Sequence, residues 1–320
     1  KVISLLGKGG MGAVFLLENA EGVQVAAKIL DPATAGDHES RKRFLREAEL
    51  AIGVQHPNLV ETYDVGEDPE TGFCYILMEY VSGGSLADYL KENGALPIED
   101  AVAVVQAMAS VLELARQKGI VHRDVKPANV MLDKDGRVRI LDFGVAHDEN
   151  DQELTEDFAQ LGTASYMSPE QIHDSSSITP ASDVFSIGII ACEMLLGENP
   201  FRGTSLAETF QNIQKKKIPA KAFDKSIPKE IVNFVLSLLR KDPRKRPMAN
   251  DVAEFFSRSM RHYPRDLRPY LVEWANAALN ENDTFITPAL YSEKKRLSFK
   301  VGLVSGLVIA TAICVAIHFA

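Results

Sequence analysis

Cysteine is scarce in this chain of 320 residues, and basic residues are fewer than acidic ones, 35 against 44. The net charge of -9 argues against a general nucleic-acid binder, which usually carries a basic patch. The three cysteines, Cys74, Cys192 and Cys314, lie far apart in the sequence and show no metal-ligand spacing. This favours reduced thiols in a reducing compartment. No secretory signal is visible at Lys1, and we interpret the chain as a fragment that lacks its native N-terminus.

The polar chemistry of the chain is concentrated in the segment Ile120–Asn129. Asp124 is a candidate general base, and Lys126 is a cation that can face a phosphoryl group. Asn129 offers an amide oxygen, and Asp142 adds a second carboxylate downstream. Oxygen ligands of this kind suit a hard divalent cation. The segment therefore predicts a site that combines a proton acceptor, a cation for phosphate and a metal ligand.

A glycine-rich stretch lies near the start of the chain and reads Gly7-Lys8-Gly9-Gly10-Met11-Gly12. Alone, this spacing fits a dinucleotide fold, a phosphate-covering loop between strands, or a plain turn. A dinucleotide fold needs a helix directly after the glycines. Here the residues on both sides of Glu21-Gly22 are apolar and β-branched, which predicts a β-hairpin. The pattern therefore favours a loop whose glycines let the backbone approach phosphate oxygens.

Four motifs follow one another in a characteristic order: the glycine loop, His122-Arg123-Asp124 with Asn129, Asp142-Phe143-Gly144, and Ser168-Pro169-Glu170. On these motifs the chain resembles a bacterial-type, or Hanks-type, membrane-bound serine/threonine protein kinase. The resemblance covers about residues 1–258 and implies an α+β, two-lobed protein kinase fold. The implied organisation is a β-rich N-lobe (1–81), a helical C-lobe (82–258), a juxtamembrane linker (259–300) and a transmembrane helix (301–320).

The resemblance also implies the reaction and the role of each residue. ATP would be the phosphoryl donor, with Mg²⁺ or Mn²⁺, and protein Ser/Thr hydroxyls would be the acceptors. Asp124 would orient and deprotonate the hydroxyl, Lys126 would neutralise the γ-phosphate, and Asn129 and Asp142 would hold the metal. Lys28 would hold the α- and β-phosphates, oriented by Glu47, with Glu49 as the rival partner. The other implied nucleotide contacts are Gly7, Lys8, Gly9, Gly10, Met11, Gly12, Val14, Ala26, Met78, Glu79, Val81 and Met131.

Bracing and regulation are implied in the same way. Asp183 resembles the family residue that braces the catalytic loop, and Arg246 resembles the partner of Glu170. An arginine beside the base, Arg123, implies activation by phosphorylation, because it is an unpaired cation until a phosphate reaches it. Thr155, inside an acidic run, is the expected autophosphorylation site. Lys126 and Thr163 together favour serine/threonine over tyrosine specificity.

Two other functions stay open at this point. A nucleotide-binding signalling scaffold without useful transferase activity would keep the fold, but no catalytic position is replaced here. A small-molecule phosphotransferase would share the aspartate and metal logic. It should lack the segment from Thr163 to Glu170 and should lack Arg246, and both are present in this chain.

The last twenty residues, 301–320, are uncharged and apolar, and they are long enough to span a bilayer as a helix. A buried core helix is the alternative. Basic residues precede the run and none follows it, which predicts a single-pass protein of the cell membrane with a cytoplasmic kinase domain. These basic residues are Lys294, Lys295, Arg296 and Lys300. Small residues recur every four positions from Gly302 and predict either a pairing strip for a homodimer or an ordinary membrane anchor.

Overall fold

The structure is a computed structural model that describes residues 1–9, 12–30, 41–42, 44–45, 51–69, 72–141, 161–174, 177–262 and 271–276. Within these residues the chain divides into two compact units. The small unit contains Lys1–His56 and Val60–Val81, and the large unit contains Pro57–Leu59 and Ser82–Leu279.

The small unit is built on a five-stranded antiparallel sheet with the order β1-β2-β3-β5-β4. Its strands are β1 (Val2–Gly9), β2 (Gly12–Glu18), β3 (Gln24–Leu30), β4 (Thr62–Glu67) and β5 (Cys74–Glu79). The hairpin predicted after the glycine loop is confirmed, since β2 pairs with β3. Asn19 Oδ1 closes the turn by accepting the N–H groups of Glu21 and Val23.

Alternation along these strands separates two faces of the sheet. One face carries the apolar core cluster Phe15, Leu17, Val25, Ala27, Ile29 and Leu77. Val14, Ala26, Lys28 and Met78 alternate with those residues and therefore share the opposite face. The register places Val14 beside Lys28 and Ala26 beside Met78. Four predicted nucleotide-contact positions from three strands are thus adjacent on one surface.

The large unit is mainly helical. Its α-helices are α1 (Leu86–Asn93), α2 (Ile98–Gln117), α3 (Leu161–Ala164), α4 (Pro169–His173), α5 (Pro180–Leu196), α6 (Leu206–Lys215), α7 (Lys229–Leu238) and α8 (Ala249–Ser259). Single turns of 3₁₀ helix occur at Pro127–Asn129, Ala220–Ala222, Pro243–Lys245 and Met260–His262. Residues 271–276 are also helical.

Helix α5 lies at the centre of the large unit and packs against α2 and α7, while α8 packs along α2. All fourteen residues from Ser182 to Leu195 are buried, as expected for a mainly apolar helix that other elements surround, and the buried polar ones are Ser182, Asp183, Ser186 and Glu193. Pro180 begins α5 with a pre-set φ, and Gly197 follows its end in the left-handed conformation with φ 81°. Pro180 thus marks the start of α5, and this start places Asp183 in the first turn of the helix.

A second sheet in the large unit has three strands in the order β6 (Gly83–Ser85), β7 (Val130–Asp133) and β8 (Val138–Ile140). The apolar runs 130–132 and 138–141 predict a hairpin around the turn 133–136, and the pairing of β7 with β8 confirms it. Strand β6 is not predicted from the sequence, because Gly-Gly-Ser has little strand propensity. Gly83 allows the pairing, since a Cβ there would lie 2.1 Å from the carbonyl oxygen of Leu132.

Among the helices that the structure describes, none combines the length and the apolar character needed to cross a bilayer. Residues 301–320 lie outside the described part of the chain. Cys74 and Cys192 are buried, and burial raises the pKa of both thiols. That agrees with the predicted role of these two cysteines as reduced core residues.

Candidate active site

The loop between α2 and β7 carries the polar residues singled out in the sequence. Gly119, with φ 73°, turns the chain out of α2, and the side chain of Ile120 is buried. Residues 120–126 have no regular secondary structure, and the 3₁₀ turn Pro127–Asn129 leads from them into β7. Because this loop forms no regular hydrogen-bond ladder, its shape depends on side chains from other elements.

Asp183, in the first turn of α5, holds the backbone of this loop. Its Oδ2 accepts the N–H of His122 at 2.8 Å and its Oδ1 accepts the N–H of Arg123 at 2.9 Å. The carboxyl group is 4% exposed, and burial raises its pKa, while the charge of His122 and these two N–H groups act in the opposite direction. The bracing role predicted for Asp183 is confirmed.

Arg123 has a left-handed backbone with φ 67°, and it is the only non-glycine residue with positive φ among the described residues. Such a conformation costs about 1–3 kcal/mol and persists only where the surroundings impose it. Here Asp183 accepts the N–H of Arg123, and Gln171 Nε2 donates to its carbonyl oxygen at 2.9 Å. The strained residue lies directly before Asp124 and thereby sets the direction in which the side chain of Asp124 projects from the loop.

Gln171 is a positioning residue that the sequence analysis missed. Ser168 caps α4 by accepting the N–H of Gln171, and Gln171 Oε1 accepts the N–H of Ser168 in return. A serine followed three residues later by glutamine is the sequence signature of this capping box. Ser168-Pro169-Glu170-Gln171 carries this signature, so the capping box could have been predicted from the sequence. The capping box ties the end of the segment before α4 to the catalytic loop.

Asp124, Lys126 and Asn129 form one cluster. Lys126 Nζ lies 2.8 Å from Asp124 Oδ2, and Asn129 Nδ2 donates to the same oxygen at 3.2 Å and to the Asp124 carbonyl oxygen at 2.9 Å. The side chains of Asp124 and Lys126 are 26% and 24% exposed. The carboxylate is thus held in a fixed orientation yet stays accessible, as a base that acts on a bound substrate requires.

The orientation of Asn129 also fits a hard metal ligand. Its amide nitrogen is directed at Asp124, so its amide oxygen points to the other side, and an amide oxygen is an acceptable ligand for Mg²⁺ or Mn²⁺. The donor chemistry of this residue therefore agrees with the predicted metal site. The second predicted ligand, Asp142, lies outside the described residues.

In the small unit, the glycine loop begins at the tip of the β1–β2 hairpin, where Gly9 pairs with Gly12. Gly7 and Lys8 are exposed on β1. Lys28 Nζ lies 5.9 Å from the centre of the Phe44 ring, and Phe44 is buried. The shared face of Phe44, Ala48, Ala51 and Ile52 predicts a helix over residues 38–54, and Arg41, Lys42, Phe44, Leu45 and Ala51 are helical. The predicted end is wrong, because residues 52–54 are not helical and Ile52 instead forms a β-bridge with Thr62.

The segment from Met78 to Val81 resembles the hinge of a protein kinase, which implies that its backbone takes the adenine hydrogen bonds. These residues lie at the end of β5 and just after it. The N–H of Glu79 donates to the carbonyl oxygen of Glu61 at 2.9 Å, so this N–H is used inside the small unit. This N–H is therefore not available to adenine. A backbone contact between this stretch and the base would have to use other backbone groups. Val81 follows, and Met131 on β7 pairs with Ser85 on β6.

Glu170 and Arg246 form the buried ion pair predicted from the sequence. Arg246 Nη1 and Nη2 donate to the two carboxylate oxygens of Glu170 at 2.5 and 2.9 Å. Ser182 Oγ donates to Glu170 Oε1 at 2.8 Å. Burial would raise the pKa of Glu170, but the hydrogen bonds and charge of Arg246 outweigh it and hold the pKa below its usual value. The pair joins α4 to the loop before α8.

Five predicted site residues lie outside the described residues: Gly10, Met11, Glu47, Asp142 and Thr155. Glu49, the rival partner for Lys28, lies outside them as well. Their roles stay predictions from the sequence.

Comparison with known proteins gives consistent results. A family model described as protein kinase domain matches residues 1–255. Serine/threonine-protein kinase PrkC of Bacillus subtilis is 36% identical over 245 residues, which are 76% of this chain and 37% of the relative. Serine/threonine-protein kinase PknB of Mycobacterium leprae is 37% identical over 247 residues, which are 76% of this chain and 40% of the relative.

Solved structures are similar as well. The kinase domain of PknI from Mycobacterium tuberculosis, crystallised as a point mutant, superposes with a TM-score of 0.61 at 27% sequence identity. The match covers 81% of this chain and 94% of that one. The chain spans less than half the length of the two curated relatives, so the resemblance concerns one part of those proteins.

Proposed function

From the premise that the chain belongs to the protein kinase domain family, we propose that it is a serine/threonine protein kinase that uses ATP. The observation that carries the proposal is the cluster of Asp124, Lys126 and Asn129 on a loop braced by Asp183. Both curated relatives are named serine/threonine-protein kinases, which supports hydroxyl groups of serine and threonine as acceptors.

The residues of the chain divide the work of phosphoryl transfer, in which positioning and charge stabilisation dominate. Asp124 accepts the proton of the protein hydroxyl while that oxygen forms its bond to the γ-phosphorus and ADP leaves. Lys126, held 2.8 Å from Asp124, supplies positive charge beside the transferred group. Asn129 and Asp142 would hold a divalent cation, which would supply positive charge against the phosphates. Lys28 supplies a second cation for the remaining phosphates.

Replacing Lys28 tests the nucleotide part of the proposal. Lys28→Met should lower the rate of phosphate transfer from labelled ATP to a generic basic protein by about 10²–10³-fold, as the loss of one electrostatic group does in other active sites. The strand should persist, because Met fits a half-buried strand position and Lys28 lies on the face opposite the core cluster. A thermal melt should therefore match that of the wild type.

Lys118→Met is the matched control, because Lys118 is exposed at the end of α2 and takes no part in the site. It should transfer phosphate at the wild-type rate. Wild-type transfer by the Lys28 variant would contradict the assignment of Lys28, and no transfer by the wild type would contradict the function itself.

The proposal includes a membrane anchor at residues 301–320. It is supported by the apolar run and by the basic residues before it, which together favour a cytoplasmic catalytic domain. Activation through Thr155 and pairing through the strip at Gly302 belong to the same proposal and stay predictions.

A truncation tests the anchor. The chain of residues 1–320 should sediment with membranes and resist extraction at alkaline pH, whereas residues 1–300 should appear in the supernatant with phosphate-transfer activity retained. Extraction of the longer chain by alkali would mean that residues 301–320 do not span the bilayer.

A further inference from the structure

The helical residues 271–276 lie beyond the family match, which ends at residue 255, and yet they pack on the catalytic part of the large unit. Leu271 and Ala275 are fully buried. Asn276 Nδ2 lies 3.4 Å from the carbonyl oxygen of Lys134, in the turn between β7 and β8. The N–H of Lys134 in turn donates to the carbonyl oxygen of Ser82. This segment is therefore attached to the sheet of the large unit.

Trp274 makes the closest contacts of this segment. Its indole N–H donates to Glu92 Oε2 at 2.7 Å, and its ring meets Tyr89 edge to face with 5.1 Å between centroids. The ring also lies directly on β6, because a Cβ at Gly84 would be 2.4 Å from Trp274 Cη2. Trp274 thus joins β6 to α1.

Strand β6 depends on a partner of this kind. Two of its three residues are glycines, which have no side chain to pack and weaken a strand. An aromatic ring laid over a glycine in a sheet replaces the missing side-chain contact. Gly84 is buried, and the Trp274 ring supplies that cover.

Strand β6 lies next to two residues that are predicted to contact the nucleotide. Only Ser82 separates β6 from the predicted hinge residue Val81, and Ser85 on β6 pairs with Met131, the predicted adenine contact on β7. A displacement of β6 would therefore also displace Val81 and Met131, the two predicted contacts of the base.

We propose that Trp274 is a positioning residue for the nucleotide: residues 271–276 fix β6 by covering Gly84, and β6 in turn fixes Met131. The inference rests on the proposed ATP site and adds that the segment leading away from the kinase domain sets the affinity of that site. If packing of Trp274 favours nucleotide binding, linkage requires that nucleotide binding favours packing of Trp274 by the same factor.

Gly84→Ala tests the contact from the opposite side. The new methyl group would collide with the indole ring and displace it, while the backbone of β6 accepts alanine. Trp274 is the only tryptophan of the chain, so its fluorescence reports the displacement directly. The emission of the 320-residue Gly84→Ala chain should shift to longer wavelength, whereas an unshifted emission would show that the ring does not rest on Gly84.

Calorimetric titration with Mg²⁺ and ADP tests the consequence. Trp274→Ala and Gly84→Ala should each raise the Kd of the full chain at least about fivefold, the lower end of usual coupling between sites. Trp274→Phe, which keeps a ring over Gly84, should restore the Kd to within about twofold of the wild type. The double variant should bind like Trp274→Ala alone, because the methyl group at position 84 then meets no ring.

Two outcomes are distinguished by the same titration. Wild-type affinity in both single variants, or fully additive effects in the double variant, would overturn the positioning role. If the wild type itself binds no ADP, the proposed function fails and this inference fails with it. A thermal melt of each variant shows that the titrated chains are folded.

Discussion

Asp124→Asn should lower kcat for phosphate transfer by about 10²–10⁴-fold, the usual contribution of a general base. Asparagine has the same shape as aspartate and can still accept a hydrogen bond, so the contacts with Lys126 and Asn129 lose charge but keep their geometry. Nucleotide affinity should change little, because Asp124 acts on the acceptor hydroxyl. The measurement is transfer of labelled phosphate under saturating ATP, with the ADP affinity determined in parallel.

Asp135→Asn is the matched control, since Asp135 is exposed in the turn between β7 and β8 of the same unit. It makes the same chemical change and should transfer phosphate at the wild-type rate. If Asp124→Asn also retained that rate, Asp124 would not be the base. A loss of ADP binding in the Asp124 variant would show that the loop had collapsed instead.

Elements with a strong local pattern could be predicted from the sequence. The hairpin after the glycine loop and the β7–β8 hairpin lie at nearly their predicted positions. The apolar stripe Val102, Val105, Met108 and Leu112 predicts a helix over residues 97–118, close to the observed bounds of α2. In each of them the alternation or the helical period of apolar residues is continuous over the whole element. The functional residues of the catalytic loop could also be predicted, because they lie within ten consecutive positions.

Features that depend on contacts between distant residues were not predicted. The indole N–H of Trp274 meets Glu92, which is 182 residues away in the sequence, and neither residue carries a motif. Strand β6 was missed for the same reason, since its formation depends on close approach to Leu132 and on the ring of Trp274. Asp183 and Arg246 could be assigned in advance only because the family pattern marks their positions.

The positive φ of Arg123 is a further case. No local signal in Val-His-Arg-Asp favours a left-handed arginine, and the conformation is imposed by hydrogen bonds from residues 48 and 60 positions away. Local sequence preferences fail here at a residue beside the catalytic base, where strain imposed by the surrounding structure is common.

Arg246→Met should destabilise the large unit by about 3–5 kcal/mol, because it leaves Glu170 as a buried charge without its partner. Arg246 is 7% exposed, and besides Glu170 it donates to the carbonyl oxygens of Ala181, Lys241 and Arg240. Those acceptors would lose a donor as well, which adds to the cost. The quantity to measure is the free energy of unfolding in urea at pH 7, followed by far-UV circular dichroism.

Arg244→Met provides the control two residues away. Arg244 also pairs with a carboxylate, Asp242, but its side chain is 87% exposed, so the unfolding midpoint should stay at the wild-type value.

The pH dependence of unfolding gives a second check. Because folding lowers the pKa of Glu170 below 4.5, the stabilisation by the pair is complete above that pH and is lost as the pH falls through the lowered value. The difference between wild type and Arg246→Met should therefore shrink in acid. Equal effects of the two arginine replacements at pH 7 would show that burial of the Glu170 pair contributes nothing to stability.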